Sequence, residues 1–429
     1  MTDTATTRTT RGSRPRNRRE LIAAAAGRAF SERGYHAVGM DDIAAAEGIS
    51  AAALYRHFPN KYALFVHCAT ALADGLLATL DELPPDASLE ETLRAVARTT
   101  IAGRASGGIY RWEARYLEPD DRAALRATFE RITDRVATAV SSARQDAGAP
   151  DVGPAHARVL AAAALGAVGS VTTHRTSMAA RRTEGLLADA AVRVALATPG
   201  HADHPTPVPA PPRAPAPGRR GQILDAAVPL FHRDGYPEVS MGDIAAAVGL
   251  TPSGLYRHYR GKADILLAAC LEAADLLERT VAERTAGARS PSVALSALAD
   301  AYVGYSFEHT ALTSVATAES GGLPAAVQRP LRAAQREHVA RWEAAVRAVR
   351  PDLDPTEARV LVHAGLGVVT EAGRAVHWAD TAEHRALVAD LVLAALGAPP
   401  ADGPTVGGRT KSGPTDSGAT DSGASPDGS

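Results

Sequence analysis

Residues 34–61 read GYHAVGMDDIAAAEGISAAALYRHFPNK, and residues 235–262 read GYPEVSMGDIAAAVGLTPSGLYRHYRGK. The second stretch repeats the first 201 positions later, with no insertion or deletion. Gly34 pairs with Gly235, Met40 with Met241, Gly48 with Gly249, and Leu54-Tyr55-Arg56-His57 with Leu255-Tyr256-Arg257-His258. The register persists downstream, where Ala157-Arg158-Val159-Leu160 meets Ala358-Arg359-Val360-Leu361. So long a period is a duplicated domain, not a solenoid repeat. Whatever the motif does, this chain is equipped to do it twice.

The quoted stretch reads as helices. Gly34 is a suitable left-handed stop for a first helix over 17–33. A short helix follows over 40–47, a turn at Gly48, and a second short helix from Ser50 to Phe58. A long helix runs from Lys61 to about Leu83, where Pro84-Pro85 ends it. Ser88-Leu89-Glu90-Glu91, Ser240-Met241-Gly242-Asp243 and Asp354-Pro355-Thr356-Glu357 are capping boxes that open further helices. No period-2 strand pattern is present, so the expected class is all-α. Two short helices joined at a glycine form a helix-turn-helix, in which Ile43, Ala44, Ile49 and Leu54 pack the pair together. The second helix is capped by Ser50, or by Thr251 in the repeat, and its exposed first turn fits a major groove.

The repeat sets the organisation. The first 15 residues (1–15) are expected to be a disordered basic arm; Arg8, Arg11, Arg14, Arg16, Arg18 and Arg19 precede or flank its end, with no acidic residue between Arg8 and Glu20. A first head covers 16–62 and a first helical body 63–197. A Pro-rich linker, 198–218, leads to a second head over 219–263 and a second body over 264–396. The Gly/Ser/Thr/Asp-rich tail, 397–429, is expected to be disordered. Hydrophobic residues make up 45% of the 429, enough for a core in each unit, and much of that share is Ala and Leu. No run of 18 apolar residues occurs and no apolar signal core opens the chain, so no membrane partner is expected. Cys68 and Cys270 sit in apolar helical contexts and read as small buried residues.

The formal net charge of −2 hides how the basic residues are placed. The chain has three lysines, Lys61, Lys262 and Lys411, and arginine supplies the rest of its 46 basic residues. Two of those lysines hold the same repeat position, at the start of the long fourth helix. A helix N-terminus with a compact cation reads as a phosphate-binding arrangement. Tyr55 and Tyr256 lie one turn into the reading helix, beside Arg56, His57, Arg257 and His258, where a phenol reaches a phosphate. Ser50-Ala51-Ala52-Ala53 and Thr251-Pro252-Ser253-Gly254 form the turns that face the bases. Arg16, Arg18, Arg19, Arg219 and Arg220 extend the basic surface at the start of each head.

With these residues in place, the sequence resembles the DNA-binding head of the TetR/AcrR transcriptional regulators. The shared pattern is carried by Phe30, Gly34, Tyr35, Asp42, Ile43, Ala44, Gly48, Ser50, Leu54, Tyr55, His57, Phe58 and Lys61. It recurs at Phe231, Gly235, Tyr236, Asp243, Ile244, Ala245, Gly249, Thr251, Leu255, Tyr256, His258, Tyr259 and Lys262. The resemblance is specific over about 45 residues per copy and rests beyond that on helical pattern. It implies two tandem TetR-like units, each a three-helix head on a helical ligand-binding and dimerisation bundle of nine helices in all. It further implies a double-stranded DNA operator, a small-molecule inducer of unknown identity, repression relieved by that ligand, and a bacterial, cytoplasmic, nucleoid-associated protein.

Two departures sharpen these expectations. Members of that family usually carry one head, so this chain reads as an intramolecular pseudodimer, the alternative being a homodimer of chains. The units would pack through 154–174 with 182–197 and 355–377 with 381–396, with Ala161 to Ala164, Gly166 and Gly169 giving a close-packing face. The reading turns also differ: Ala51-Ala52-Ala53 offers a base edge no polar group, whereas Ser253 does. The heads are therefore expected to read unlike half-sites; the alternative is a small-molecule sensor or interaction protein in which only the second head reads DNA. Tyr110, Trp112, Tyr116, Trp342 and His363 are the candidate ligand-lining residues, with Glu118, Glu319 and Trp378 as further possibilities. No metal-spaced His/Cys set, nucleophile elbow, phosphate loop or carboxylate pair is evident, so no enzyme activity, metal or cofactor is expected.

Overall fold

The computed structural model describes residues 18–104, 109, 116–198, 218–319, 323 and 325–398. The basic arm with Arg16, the ligand candidates Tyr110 and Trp112, nearly all of the Pro-rich linker and the tail beyond Ala398 lie outside the described residues, as does the side chain of Glu319. Among the described residues every regular element is helical, and the two copies of the repeat form two all-α units in tandem.

In the first unit α1 (Arg18–Arg33), α2 (Met40–Ala46) and α3 (Ala51–Tyr55) form the head. They are followed by α4 (Lys61–Glu82), α5 (Leu89–Ala102), α6 (Pro119–Asp146), α7 (Gly153–Gly169) and α8 (Ala180–Leu196). The second unit repeats the order with α9 (Gly218–Asp234), α10 (Met241–Ala247), α11 (Pro252–Tyr256) and α12 (Lys262–Thr285). Its body continues with α13 (Pro291–Glu308), α14 (Thr310–Glu319), α15 (Ala325–Val349), α16 (Pro355–Ala375) and α17 (Ala382–Leu396). Among the described residues the second unit thus shows nine helices, the number that the family resemblance implied.

Local chemistry explains the boundaries. Reciprocal capping boxes form at Ser88/Glu91, Ser240/Asp243 and Asp354/Glu357, each satisfying two helix-end donors. Gly34 and Gly235 take φ of 81° and 87° and stop the first helix of each head. The reading helices are shorter than the 50–58 expected from sequence. Each closes after five residues, at Tyr55 and Tyr256, and continues as a turn so that Phe58 and Tyr259 fold back into the core. Cys68 and Cys270 are buried and unpaired with each other; the Cys68 thiol donates to the Ala23 carbonyl at 3.3 Å, and burial pushes its pKa up to about 12.

Two helical stretches, Lys61–Glu82 and Gly153–Thr172, are long and apolar enough by composition to cross a bilayer. Both are core helices here. Leu64, Phe65, Leu72, Leu76 and Leu80 of α4 face the first unit's interior, and α7 lies at the centre of the contact between units.

That contact is a four-helix arrangement of α7 and α8 against α16 and α17. Gly166 of α7 meets Gly367 of α16. A Cβ on Gly166 would lie 2.6 Å from the Gly367 carbonyl oxygen, and one on Gly367 would lie closer still to the Gly166 oxygen. The two backbones are in direct contact, which glycine alone permits. Arg193 of α8 reaches the end of α17, donating from Nε to the Ala394 carbonyl at 3.0 Å and from Nη2 to Ala395 at 2.9 Å. Gly166 with Gly367 and Arg193 with Ala394 are counterparts in the 201-residue register. When counterparts touch each other, they lie on a two-fold axis, so the contact is isologous in form. One continuous hydrophobic core runs from the first head through its body into the second body. The second head forms a separate cluster with Leu312 and Val315 of α14 and with Leu323 and Leu331.

Candidate nucleic-acid interface

Each head presents its reading helix by the same construction. Leu54 and Leu255 are fully buried, as are the neighbouring Ile43 and Ile244, so one face of the short helix is fixed to the head. The opposite face is open: Tyr55 is 49% exposed and Tyr256 54%. Ser50, Ala52 and Arg56 are exposed beside Tyr55, and Thr251, Pro252, Ser253 and Arg257 beside Tyr256; Ala51, Ala53, Gly254, His57 and His258 are half-buried. The turn before each helix depends on Gly48 and Gly249, with φ of 63° and 65°. Nothing lies within 4 Å of a Cβ at either, so backbone conformation and not space requires glycine there.

The caps expected from sequence are made. Ser50 Oγ accepts from the Ala53 N–H at 3.2 Å, and Thr251 Oγ1 from Gly254 at 3.1 Å. The first turns then diverge. In the first head Ala51-Ala52-Ala53 carries no polar side chain, and Arg56 Nε donates back to the Ala52 carbonyl at 3.4 Å. In the second head the Ser253 hydroxyl lies 3.1 Å from Thr251 Oγ1.

The lysines have a duty that the sequence did not disclose. Lys61 Nζ donates to the His36 carbonyl at 3.5 Å and sits 4.4 Å from the Tyr35 ring centroid. Lys262 Nζ donates to the Pro237 carbonyl at 2.9 Å and sits 4.6 Å from Tyr236. Each amine ties the start of the fourth helix to the loop after the first. A cation at a helix N-terminus is repelled by the helix dipole, and leaning onto a carbonyl and an aromatic face relieves that. Partial burial draws the Lys61 amine below its ordinary pKa.

The arginines follow the same pattern. Arg19 stacks 4.9 Å from the Phe58 centroid, and its counterpart Arg220 stacks 4.1 Å from Tyr259 while donating to the His258 carbonyl. Arg219 pairs with Gln222 at 2.9 Å. Arg18 begins α1, half-buried. These groups brace the end of the reading helix against the first helix of the head. The repeated spacing of Arg19 with Phe58 and Arg220 with Tyr259 was legible in the sequence as a signal for this contact.

The described candidate ligand residues, Tyr116, Trp342 and His363, are not brought together. Tyr116 stacks on Tyr35 at 5.7 Å and meets His36 edge-on at 4.7 Å, which places it at the junction of the first head and its body. Beside it, Tyr62 donates to Asp121 at 2.5 Å and accepts from the Glu118 N–H at 2.7 Å. His363 stacks on His174, centroids 4.1 Å apart, in the contact between the two units. Trp378 packs against Gly373 and Phe307. Trp342 is buried inside the second body, where its indole donates to His338 at 3.1 Å and meets the Tyr302 ring edge-on.

Comparison with known proteins matches this geometry. The family model for bacterial regulatory proteins of the tetR family fits residues 22–68 and again 223–269. The chain is 33% identical over 138 residues to the HTH-type transcriptional activator FasR of Mycolicibacterium smegmatis, a match covering 30% of this chain and 63% of that protein. It is 41% identical over 46 residues to the HTH-type transcriptional regulator AcrR of Shigella flexneri, covering 11% of this chain and 21% of that one. The chain thus spans less than two thirds of the length of either relative. A TetR-family regulator structure from Bordetella parapertussis aligns at 24% identity with a TM-score of 0.38, over 42% of this chain and 94% of that one. Two family-model matches, set at the same repeat positions as the two exposed short helices, show that this chain carries the helix-turn-helix region of the tetR family twice, in tandem.

Proposed function

We propose that this protein is a sequence-specific DNA-binding transcription regulator that engages its operator as a single-chain pseudodimer. The carrying observation is that both reading helices expose the same face, with Tyr55 and Tyr256 outward and Leu54 and Leu255 anchored. In this reading residues 16–62 and 219–263 are the DNA-binding heads, and 63–197 and 264–396 are the bodies that set their spacing. The exposed first turns at 50–53 and 251–254 meet base edges. Tyr55, Tyr256, Arg56, Arg257 and the basic groups at the head of α1 and α9 meet phosphates. The lysines act at one remove, by holding the loop and the fourth-helix N-terminus in place.

The operator follows from the two unlike turns. Alanines meet a thymine methyl or allow close approach, whereas Ser253 supplies a hydroxyl. The preferred site is then two different half-sites in successive major grooves. Selection from random DNA with the purified chain tests this, with an asymmetric two-part consensus expected; a strictly palindromic consensus would remove the argument. The alanine run also favours a second reading, in which only the second head reads DNA. Mobility shifts with Tyr55→Ala and Tyr256→Ala decide between them: comparable losses support two working heads, and a loss from Tyr256→Ala alone supports one.

The regulation we propose is repression relieved by a small ligand, in a protein working in the bacterial cytoplasm. A pair of heads spanning adjacent grooves occludes the DNA it covers. Of the five principal ligand candidates, Trp342 is the described one in the interior of a body, beside Tyr302 and a half-buried His338 whose enclosed Nδ1 has no hydrogen-bond partner. That unsatisfied nitrogen supports a polar ligand group docking in the second body. A reporter driven from the selected operator checks the direction: expression falling with added protein supports repression, and rising expression supports activation.

A further inference from the structure

The contact between the units is symmetric in backbone and asymmetric in charge. On one side, Arg182 of α8 lies 2.9 Å from Glu357 and 3.0 Å from Asp354, both at the start of α16. Its Nε also donates to Glu357 at 2.9 Å. In the 201-residue register, Arg182 corresponds to Glu383, Glu357 to His156 and Asp354 to Gly153. The two-fold partner of the Arg182–Glu357 contact is therefore Glu383 of α17 with His156 of α7. The Glu383 charge does act on His156, favouring its protonated form against burial and the nearby Arg144. One position pairs a cation with an acid, and its mate sets an acid near a histidine instead, so the charges differ across the axis.

The axis itself is built for unlike halves. Arg193 donates to the Ala394 and Ala395 carbonyls, and Ala394 is its own counterpart. The stack of His174 on His363 has Ala375 and Ala162 as its counterparts. We propose that this surface accepts the second unit of the chain as the partner of the first and rejects pairing between like units, with Arg182, Arg193, Glu357 and Glu383 as the determinants. In a pair of first units, Arg182 faces His156 and Gly153 with no carboxylate, and Arg193 meets Arg193 on the axis. In a pair of second units, Glu383 faces Glu357 and Asp354. Like charges set opposite each other act against the wrong partner, and specificity is the difference between the two pairings. The chain thereby presents one head of each kind on every operator, and never two alike.

The inference rests on the single-chain pairing proposed above, and cross-linking of the full-length chain separates the two. Ala394 lies on the axis, so in the Ala394→Cys chain a disulfide between chains reports pairing of second units. Light scattering of the unmodified protein comes first, and a monomer is expected; a dimer of chains overturns the single-chain reading itself. For a monomer, the Ala394→Cys chain should form little disulfide-linked dimer under oxidation. Adding Glu383→Arg, which sets a cation against Glu357 in the wrong pairing, should raise that dimer about fivefold. Adding His156→Glu as well, which restores the contact within the chain, should bring it back down. Equal cross-linking with and without Glu383→Arg, including none in either, overturns the proposal and leaves the single-chain reading standing.

Discussion

The two heads and the contact between the bodies were copied from one ancestral unit, yet they have kept different things. The heads keep side-chain roles position by position. Gly48 and Gly249 hold the same left-handed turn, Leu54 and Leu255 the same anchor, Lys61 and Lys262 the same tie to the preceding loop. The contact keeps its backbone crossing, Gly166 on Gly367, and apolar positions such as Leu160 and Leu361, but changes the charges around them. A part that performs one task twice stays alike; a part that must distinguish one half from the other cannot. The head–body junctions lie between these extremes. Tyr116 stacks on Tyr35 in the first unit, whereas in the second α14 packs directly against the head.

The comparison is broken most severely at the crossing. Gly367→Leu drives a side chain into the Gly166 backbone, which has no flexible end to move aside. We expect a loss of about 3 kcal/mol or more in denaturant unfolding, concentrated in the bodies, with each head still folded. Acid tests the same contact more gently. Burial, the mutual stack and nearby Arg104 and Arg359 hold His174 down to about pKa 2, and burial with Arg359 and Arg104, opposed by Glu343, holds His363 near 4. The folded state thus favours neutral rings. Their contribution is complete above the ordinary value of 6.5 and is lost as pH falls from 6.5 toward 4 for His363 and onward toward 2 for His174. Thermal unfolding of the wild type and of His174→Ala/His363→Ala should show the wild-type advantage shrinking across that window; a constant difference would contradict the assignment.

Within the heads, likeness predicts equal costs. Gly48→Ala and Gly249→Ala should each lose about 1–2 kcal/mol from the left-handed backbone alone, with no steric penalty in either. Unequal losses would show that the heads are less alike than their geometry. The smallest effect sharpens a difference between their reading turns. Ser253→Ala removes the hydroxyl that distinguishes the second reading turn and should relax base preference there by about 1 kcal/mol, read as a few-fold change in competition between operators, with total affinity nearly kept.

Much of this was legible before folding. The helix stops at Gly34 and Gly235, the three capping boxes and the anchoring leucines follow from local rules, because each involves residues within a turn of one another. The lysine ties were not legible. Lys61 finds His36, 25 positions earlier, through the packing of α4 against the head, and no local pattern encodes that meeting. Tyr116 and His363 were read as pocket residues since aromatic and imidazole groups in a helical body suit a ligand. Their partners, Tyr35 and His174, are set by which helices meet.

Sequence by itself determined the duplication, the all-helical class and the two reading helices, since these rest on periodicity, caps and a register that any reader can align. Tertiary structure decided which counterparts touch. Gly166 meets Gly367 and Arg193 meets Ala394 because a two-fold arrangement brings each position onto its own copy, and the opposed charges of Arg182 and Glu383 acquire meaning only once that axis exists. Side-chain spacing along a helix is local and survives in the linear text; pairing across an interface depends on the rigid-body placement of whole helices, which no short stretch of sequence contains.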